Sequence, residues 1–345
     1  MAILRRALIT GITGQDGAFL SRFLLAKPEY EVHGIIRRNS QMGLGALDRL
    51  PGVREHVLLH HGDITDASFL DALFRQEKFD EVYHLAAQSF VGYSFANPQY
   101  TYVTNVMGTI NVLEAVRKNV PDCRVYNAAT SEMYGRPVDT PQDERTPFAP
   151  CSPYAVSKLA AYWQTEIHKQ SGLFACSGIC FNHESELRGP EFVTRKISRY
   201  VAGFARTSGA DQQPLALGNT EARKDWGYSP DFVRAMWLML QQKEPRNYVL
   251  GTGKQHTVRQ FVESAFACIG LELYWEGCGV KTRGLVQVDG KEKVVVVCDP
   301  LLFRPIEADN YCADFTRARK ELGWTPTVEF ERLVAIMVES DLNQH

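Results

Sequence analysis

Between Arg6 and Ala128 the chain repeats one unit, a short apolar run rich in β-branched residues followed by a helix-length amphipathic stretch, and this alternation leaves few folds open. Strand patterning predicts Arg6–Thr10, Glu31–Ile36, Val57–His61, Glu81–Leu85 and Arg124–Ala128. Between them, helical spacing predicts Gly17–Ala26, Asp66–Gln76 and a long helix from Pro98 to Asn119, in which Val106, Ile110, Leu113 and Val116 share a face. Strands separated by helices join through crossovers into a parallel sheet with helices on both sides. The expected fold class is therefore α/β, a doubly wound parallel sheet with a smaller, mostly α/β C-terminal lobe.

After about residue 180 the rhythm breaks, with Gly189-Pro190, Gly209, Gly218-Asn219 and Gly277 to Gly279 punctuating shorter elements. The apolar stretch Phe232–Leu240 and the strand-like Tyr248–Gly251 read as a return to the first domain. The expected division is 1–180 plus about 225–258 for one lobe, and about 181–224 plus 259–345 for the other, which a chain of 345 residues can support.

The first loop of the alternation reads GITGQDG. Gly11, Gly14 and Gly17 follow a strand and open a helix, where backbone amides approach a pyrophosphate at the helix N-terminus, as in a Rossmann domain. Gly11, Thr13, Gly14, Gln15, Asp16 and Gly17 are thus assigned to a dinucleotide. Twenty positions beyond Gly17 stand Arg37 and Arg38, where a carboxylate would select NAD; two guanidiniums suit a 2′-phosphate and favour NADP. Asp63-Ile64, and Leu85, Ala86, Ala87, Gln88 and Ser89, fall at later strand ends, where open α/β sheets bind ligands. Asp63 is placed to accept from an adenine amino group, and the two alanines leave room for the cofactor.

Tyr154 and Lys158, four residues apart in YAVSK, share one helical face. An ammonium beside a phenol is expected to lower its pKa, making Tyr154 a base toward a sugar hydroxyl while Lys158 also holds the nicotinamide ribose. Thr130 and Glu132 leave the preceding strand toward the same sheet edge. Thr130 would assist Tyr154. Glu132 is the discriminating residue, because a dehydrogenase or epimerase needs no carboxylate there, whereas loss of water needs a base and an acid.

With these residues in place the chain resembles the GDP-mannose 4,6-dehydratase family. The matching stretches are ALITGITGQDG, EVHGIIRRNS, LAAQSFVGYSF, ATSEMYG, SPYAVSKLAAYW, FNHES followed by RG, FVTRKI, LGN followed by DWG, and FRPIEAD, running from Ala7 to about Met337. The resemblance implies a redox-neutral loss of water from a GDP-sugar, with NADP regenerated at each turnover. It implies cofactor contacts at Tyr100, His183 and Arg188. It implies substrate contacts at Ser89, Glu132, Asn182, Val193, Lys196, Arg223, Arg259, Arg304 and Glu307, and a homotetramer, or else a dimer, in which the region Arg37–Pro51 reaches a neighbouring subunit. The family usually reads NHESPRRG where this chain has NHESELRG, so Glu186 and Leu187 replace proline and arginine. Tyr228-Ser229-Pro230 replaces His-Ala-Lys, and Gly284 to Asp299 is shorter than usual. These departures bear on the sugar, and GDP-manno-heptose stands as an alternative to GDP-mannose. An NADP-dependent reductase or epimerase, and a non-catalytic NADP-binding protein, are further readings; Glu132 argues against the former and the intact Tyr154, Lys158 and Glu132 against the latter.

Other partners find no support. The formal net charge of -2 provides no field for nucleic acid. The eight cysteines are scattered, and His183-Glu184 lacks the second histidine of a zinc-protease helix, so no metal is expected. The N-terminal MAILRRALITG reads as a strand rather than a signal peptide, and no apolar run approaches the roughly 18 residues of a membrane span. A cytoplasmic protein is expected.

Overall fold

The computed structural model describes residues 4–38, 43–136, 140–207, 209, 212–303 and 310–344. Over its first half the chain runs β1 (Arg5–Thr10), α1 (Gln15–Leu25), β2 (Tyr30–Ile36), β3 (Leu58–His61), α2 (Ala67–Gln76), β4 (Glu81–His84), α3 (Val91–Ala96), α4 (Pro98–Tyr102), α5 (Gly108–Asn119), β5 (Arg124–Thr130), α6 (Pro153–Gln170) and β6 (Ala175–Cys180). The helix expected over 98–119 is continuous but not uniform, since a π-helical turn, Val103–Met107, links α4 to α5. Asn105 is buried in that turn and uses its side-chain amide inward, on the backbone of Gln88 and on Ser157, a local widening of the kind that places a side chain a regular helix would not.

The sheet order is β3-β2-β1-β4-β5-β6 with a seventh strand, β11, at the far edge, and every pairing is parallel. Ala7, Leu8 and Ile9 of β1 are fully buried, because helices cover both faces. The winding reverses between β1 and β4. Their C-terminal ends therefore diverge into a crevice, which is where this architecture binds its ligand.

The second half continues β7 (Asn182–Glu184), α7 (Val193–Thr207), β8 (Leu215–Leu217), β9 (Arg223–Lys224), β10 (Trp226–Tyr228), α8 (Ser229–Leu240), β11 (Tyr248–Leu250), β12 (His256–Thr257), α9 (Val258–Ala267), β13 (Leu273–Glu276), β14 (Arg283–Val288), β15 (Lys291–Cys298), α10 (Thr316–Leu322) and α11 (Phe330–Leu342). Phe232, Val233, Met236 and Leu240 of α8 are buried in the same core as Phe19, Leu20 and Leu24 of α1. A separate core lies between the sheet β13-β14-β15-β8 and helices α7, α9 and α11, built on Ile197, Val201, Phe261, Phe266, Val296, Leu333 and Met337. A buried ion pair, Arg195 to Asp341 at 2.7 Å, joins α7 to α11. β14 and β15 turn on Asp289 and Gly290, both at positive φ (51° and 73°), the geometry of a two-residue hairpin.

Candidate active site

The glycine loop must pass under the end of β4. Gly11 sits at φ +73°, and a Cβ there would lie 2.8 Å from the backbone nitrogen of Ala86, so only glycine lets the two strand ends approach. Gly14 then caps α1 and the helix starts at Gln15, directing free backbone N–H groups at the crevice. On the other side, Thr10 Oγ1 accepts from the N–H groups of Leu85 (3.2 Å) and Ala86 (3.1 Å), which turns its proton toward His84 Nδ1 at 2.8 Å. His84 Nε2 consequently carries the hydrogen and donates to Thr109 Oγ1 at 3.0 Å. Burial, followed by the charge of Lys158, pushes this imidazole down to about 3, so it stays neutral. His84 lies buried behind the cavity rather than on its lining, and in the sequence it reads as one more core position of a strand.

The first turn of α1 is bound to the second lobe through Asp16. His183 Nε2 donates to Asp16 Oδ2 at 2.8 Å and its Nδ1 to the carbonyl of Phe181 at 2.7 Å; Ser229 Oγ donates to Asp16 Oδ1 at 2.7 Å. Burial works to raise Asp16, but His183, Ser229 and Arg188 outweigh it and hold the carboxyl at about 2. For His183, burial works downward and the bonds to Asp16 and Phe181 prevail, so the imidazole is raised above 6.5. A histidine raised on folding contributes its full stabilisation below 6.5 and loses it as pH climbs through the folded value. The melting temperature is accordingly expected to fall as pH rises above 6.5, and the slope to flatten in His183→Gln; thermal melts across that range check it. Asp16 acts at the other end, its contribution being lost as pH falls from its ordinary 3.8 toward 2.

At the end of β5, Thr130 Oγ1 accepts from the N–H of Glu132 at 3.2 Å and shares a hydrogen bond with Tyr154. Glu132 occupies a short 3-10 turn, Ser131–Tyr134, and is buried near Tyr154. α6 begins with Pro153 in its first turn and Ser152 Oγ accepting from Ala155 N–H at 3.1 Å, a cap that fixes where Tyr154 emerges. Lys158 Nζ donates to the carbonyl of Ala128 at 2.9 Å, and burial brings this lysine down to about 8. The expected depression of Tyr154 is not found. Burial raises its phenol, the neighbouring Glu132 adds to the rise, and the hydrogen bond to Thr130 and the charge of Arg188 oppose it. Lys158 is spent on a backbone carbonyl, so the desolvation of Tyr154 is the larger effect.

A cavity of about 780 Å³ gathers most of the predicted residues. Gly11, Thr13, Gly14, Gln15, Asp16, Gly17, Arg37, Asp63, Ile64, Leu85, Ala86, Ala87, Ser89, Tyr100, Thr130, Glu132, Tyr154, Lys158, Asn182, His183, Arg188, Val193 and Lys196 all line it. Arg38 is exposed and lies off the lining. Gln88 is buried behind it, donating through Nε2 to Thr101 Oγ1 at 3.0 Å. Arg259 is drawn away by Glu221, at 2.7 Å, and lies over the ring of Trp275. Arg223 is exposed on β9, and its neighbour Lys224 lines the cavity instead, because adjacent residues of a strand face opposite ways. Arg304 and Glu307 lie outside the described residues. Sequence reasoning missed Lys224, Cys180, Phe90 and Phe192, all on the lining. Glu186, Leu187 and Tyr228 to Pro230 are not part of it. Tyr228 Oη donates to Glu186 Oε2 at 3.4 Å, so two of the family departures meet each other rather than the cavity.

Among the described residues no group of three or more His, Cys, Asp or Glu is arranged to hold a metal ion, and no helix is long and apolar enough to cross a membrane.

Residues 8–337 match the family model described as GDP-mannose 4,6 dehydratase. The GDP-mannose 4,6-dehydratase of Vibrio cholerae is 45% identical, over 98% of this chain and 94% of its own length. Among solved structures, the dTDP-glucose 4,6-dehydratase of Streptomyces venezuelae with NAD and TYD bound superposes with a TM-score of 0.79 at 26% identity, covering 97% of this chain and 96% of that one. RMD from Pseudomonas aeruginosa, complexed with NADPH, gives a TM-score of 0.75 at 20% identity over 99% of this chain and all of that one (100%).

Proposed function

The chain belongs to the GDP-mannose 4,6-dehydratase family, and from that premise we propose that it removes water from GDP-mannose to give GDP-4-keto-6-deoxymannose, with bound NADP as its cofactor. The observation that carries this reading is the convergence of Thr130, Glu132, Tyr154 and Lys158 on one cavity with the glycine loop. When bound, NADP supplies a hydride acceptor for carbon 4 of the sugar and returns the hydride to carbon 6. Burial raises the Tyr154 phenol, so Tyr154, aligned by Thr130, would take the proton of the hydroxyl on carbon 4 only with the positive charge of the bound nicotinamide beside it, and Lys158 supports the ribose from the same helical face. Glu132 takes the proton on carbon 5, which the neighbouring ketone has acidified, and gives it to the hydroxyl that leaves carbon 6 as water, while the proton Tyr154 took from the carbon 4 hydroxyl goes back to carbon 5 as the hydride reaches carbon 6. The purified protein, given GDP-mannose without added reductant, should yield a product lighter by one water; an unchanged mass would overturn the proposal. GDP-manno-heptose serves as the comparison substrate.

The pocket suits a dinucleotide, because Gly11, Gly14 and Gly17 line it where β1 passes into the N-terminus of α1. Relatives in fold were solved with NAD in one case and NADPH in another. Our preference for NADP rests on Arg37, which lines the cavity and donates to Tyr100 Oη at 2.8 Å. Arg37→Glu is expected to weaken NADP binding about 10- to 100-fold, the range of a charge-assisted hydrogen bond, with NAD binding little changed. Titration with both cofactors checks it, and equal losses would remove the role of Arg37 in discrimination.

We take residues 1–180 plus about 225–258 as the cofactor lobe and the remainder as the nucleotide-sugar lobe, in a cytoplasmic homotetramer with a dimer as the smaller unit. Support for self-association comes from a layer of exposed apolar side chains on neighbouring helices: Tyr93 of α3, Val103 and Met107 of the π turn, and Trp163 and Ile167 of α6, each 44–52% exposed. A patch of that kind on a globular surface marks an interface. The region Arg37–Pro51, assigned to a subunit contact, includes residues 39–42 outside those described. Light scattering at the mass of a monomer would overturn the assembly.

A further inference from the structure

Ser89 is followed by an aromatic side chain to which the acid–base chemistry gives no task. Phe90 lines the cavity from the first lobe and Phe192 from the second, and their rings meet edge to face, 5.9 Å between centroids and 75° between planes. Phe90 is 37% exposed, an apolar ring turned to a cleft rather than packed in a core.

Its backbone is held in place. Phe90 N–H donates to Gln88 Oε1 at 2.7 Å, Gln88 N–H to Asn105 Oδ1 at 2.8 Å, Asn105 Nδ2 to Ser157 Oγ at 2.9 Å, and Ser157 Oγ to the carbonyl of Tyr154 at 2.7 Å. This buried chain ties Phe90 to the helical turn between Tyr154 and Lys158. Phe192 is fixed from the opposite side. The guanidinium of Arg188 lies 3.6 Å over its ring, pairs with Glu184 at 3.0 Å, and acts electrostatically on Tyr154. Both rings are thereby referenced to the phenol that meets the sugar.

A pyranose presents hydroxyls at its rim and C–H groups on its faces. Cations and amides suit the rim and the diphosphate, while an aromatic surface suits the faces. We propose that Phe90 and Phe192 form the apolar wall on which the hexose packs, so that Phe90 contributes to binding of the sugar and not of the nucleotide. This rests on the GDP-sugar reading above and adds to it a residue that senses only the hexose.

The test compares the wild type with Phe90→Ala and Phe90→Leu, as full chains carrying cofactor, for binding of GDP and of GDP-mannose. With alanine the KM for GDP-mannose should rise about tenfold, the lower end of what burying an aromatic side chain contributes, with the Kd for GDP, cofactor content and melting temperature unchanged. Leucine should restore part of the loss. Equal losses for GDP and GDP-mannose, no change for either, or loss of cofactor from Phe90→Ala would each overturn the wall while wild-type release of water keeps the functional reading intact. A wild type that binds GDP-mannose without releasing water overturns that reading, and the comparison of Kd values then decides the wall. A wild type that binds neither overturns both.

Discussion

Glu132→Gln is expected to bind NADP and GDP-mannose normally and to lose water elimination by at least about 10³-fold, the contribution of a positioned base to a step with no other route. Glutamine is close to isosteric and keeps the hydrogen bond from its own N–H to Thr130 Oγ1, so the turn Ser131–Tyr134 survives. What it lacks is an acceptor for the carbon 5 proton. Tyr154 and Lys158 are untouched, and oxidation at carbon 4 should still proceed. Reduced nicotinamide should therefore appear once per site on adding GDP-mannose and persist, while no dehydrated product forms. Near-normal turnover would remove Glu132 from the chemistry; absence of any reduced nicotinamide would place it in the first step instead of the second.

The largest loss of stability is expected from Gly135→Ala. Gly135 closes the Glu132 turn at φ +64°, and a Cβ there would lie 1.6 Å from the carbonyl oxygen of Ala149. That carbonyl belongs to a segment whose Ala149 N–H donates to Met133 O at 3.0 Å, while Tyr311 Oη donates to Gly135 O at 2.9 Å. No side chain swings away to make room. The backbone itself has to part, at a cost on the order of 3–5 kcal/mol, of the size seen when a special backbone position is violated and its hydrogen bonds are broken together. Gly172→Ala is the control, since Gly172 also has positive φ (+97°) but nothing within 4 Å of its Cβ position; it should cost only about 1–2 kcal/mol. Similar melting temperatures for the two variants would show that the turn relaxes freely. Catalysis should fall with Gly135→Ala even in the folded fraction, because Glu132 is carried on the displaced turn.

The parts of the site legible in the sequence are those whose geometry is set within one element. Gly11 to Gly17 span one strand-to-helix turn, Tyr154 and Lys158 one helical face, and Thr130 and Glu132 one strand end. Residues whose direction depends on a distant partner were not legible. Arg223 and Lys224 occupy a two-residue strand, and only its pairing with β12 decides which of them meets the cavity. Arg259 is captured by Glu221, and Gln88, adjacent in sequence to two cavity residues, is turned inward by Asn105. The sign of the Tyr154 shift depended on burial, which spacing does not report. The departures at Glu186 and Tyr228 had no visible connection until β7 and β10 were paired. The fold was more accessible, because alternation of strand and helix is itself the rule that builds a parallel sheet; the π turn at Val103–Met107 broke the expected regularity of the long helix.

The seventh strand has a bearing on how the chain is made. β11, at residues 248–250, completes a sheet whose first six strands end at Cys180, and α8, which seals α1, precedes it by only a few residues. A ribosome must therefore release more than two-thirds of the chain before the first lobe can close, and by then β8 of the other lobe has already emerged without its later partner β15. The first lobe, complete by about residue 258, can then close before β13 to β15 and α11 of the other lobe exist. Synthesis leaves the second lobe waiting on its C-terminal half, so its closure depends on contacts distant in sequence and is correspondingly slow.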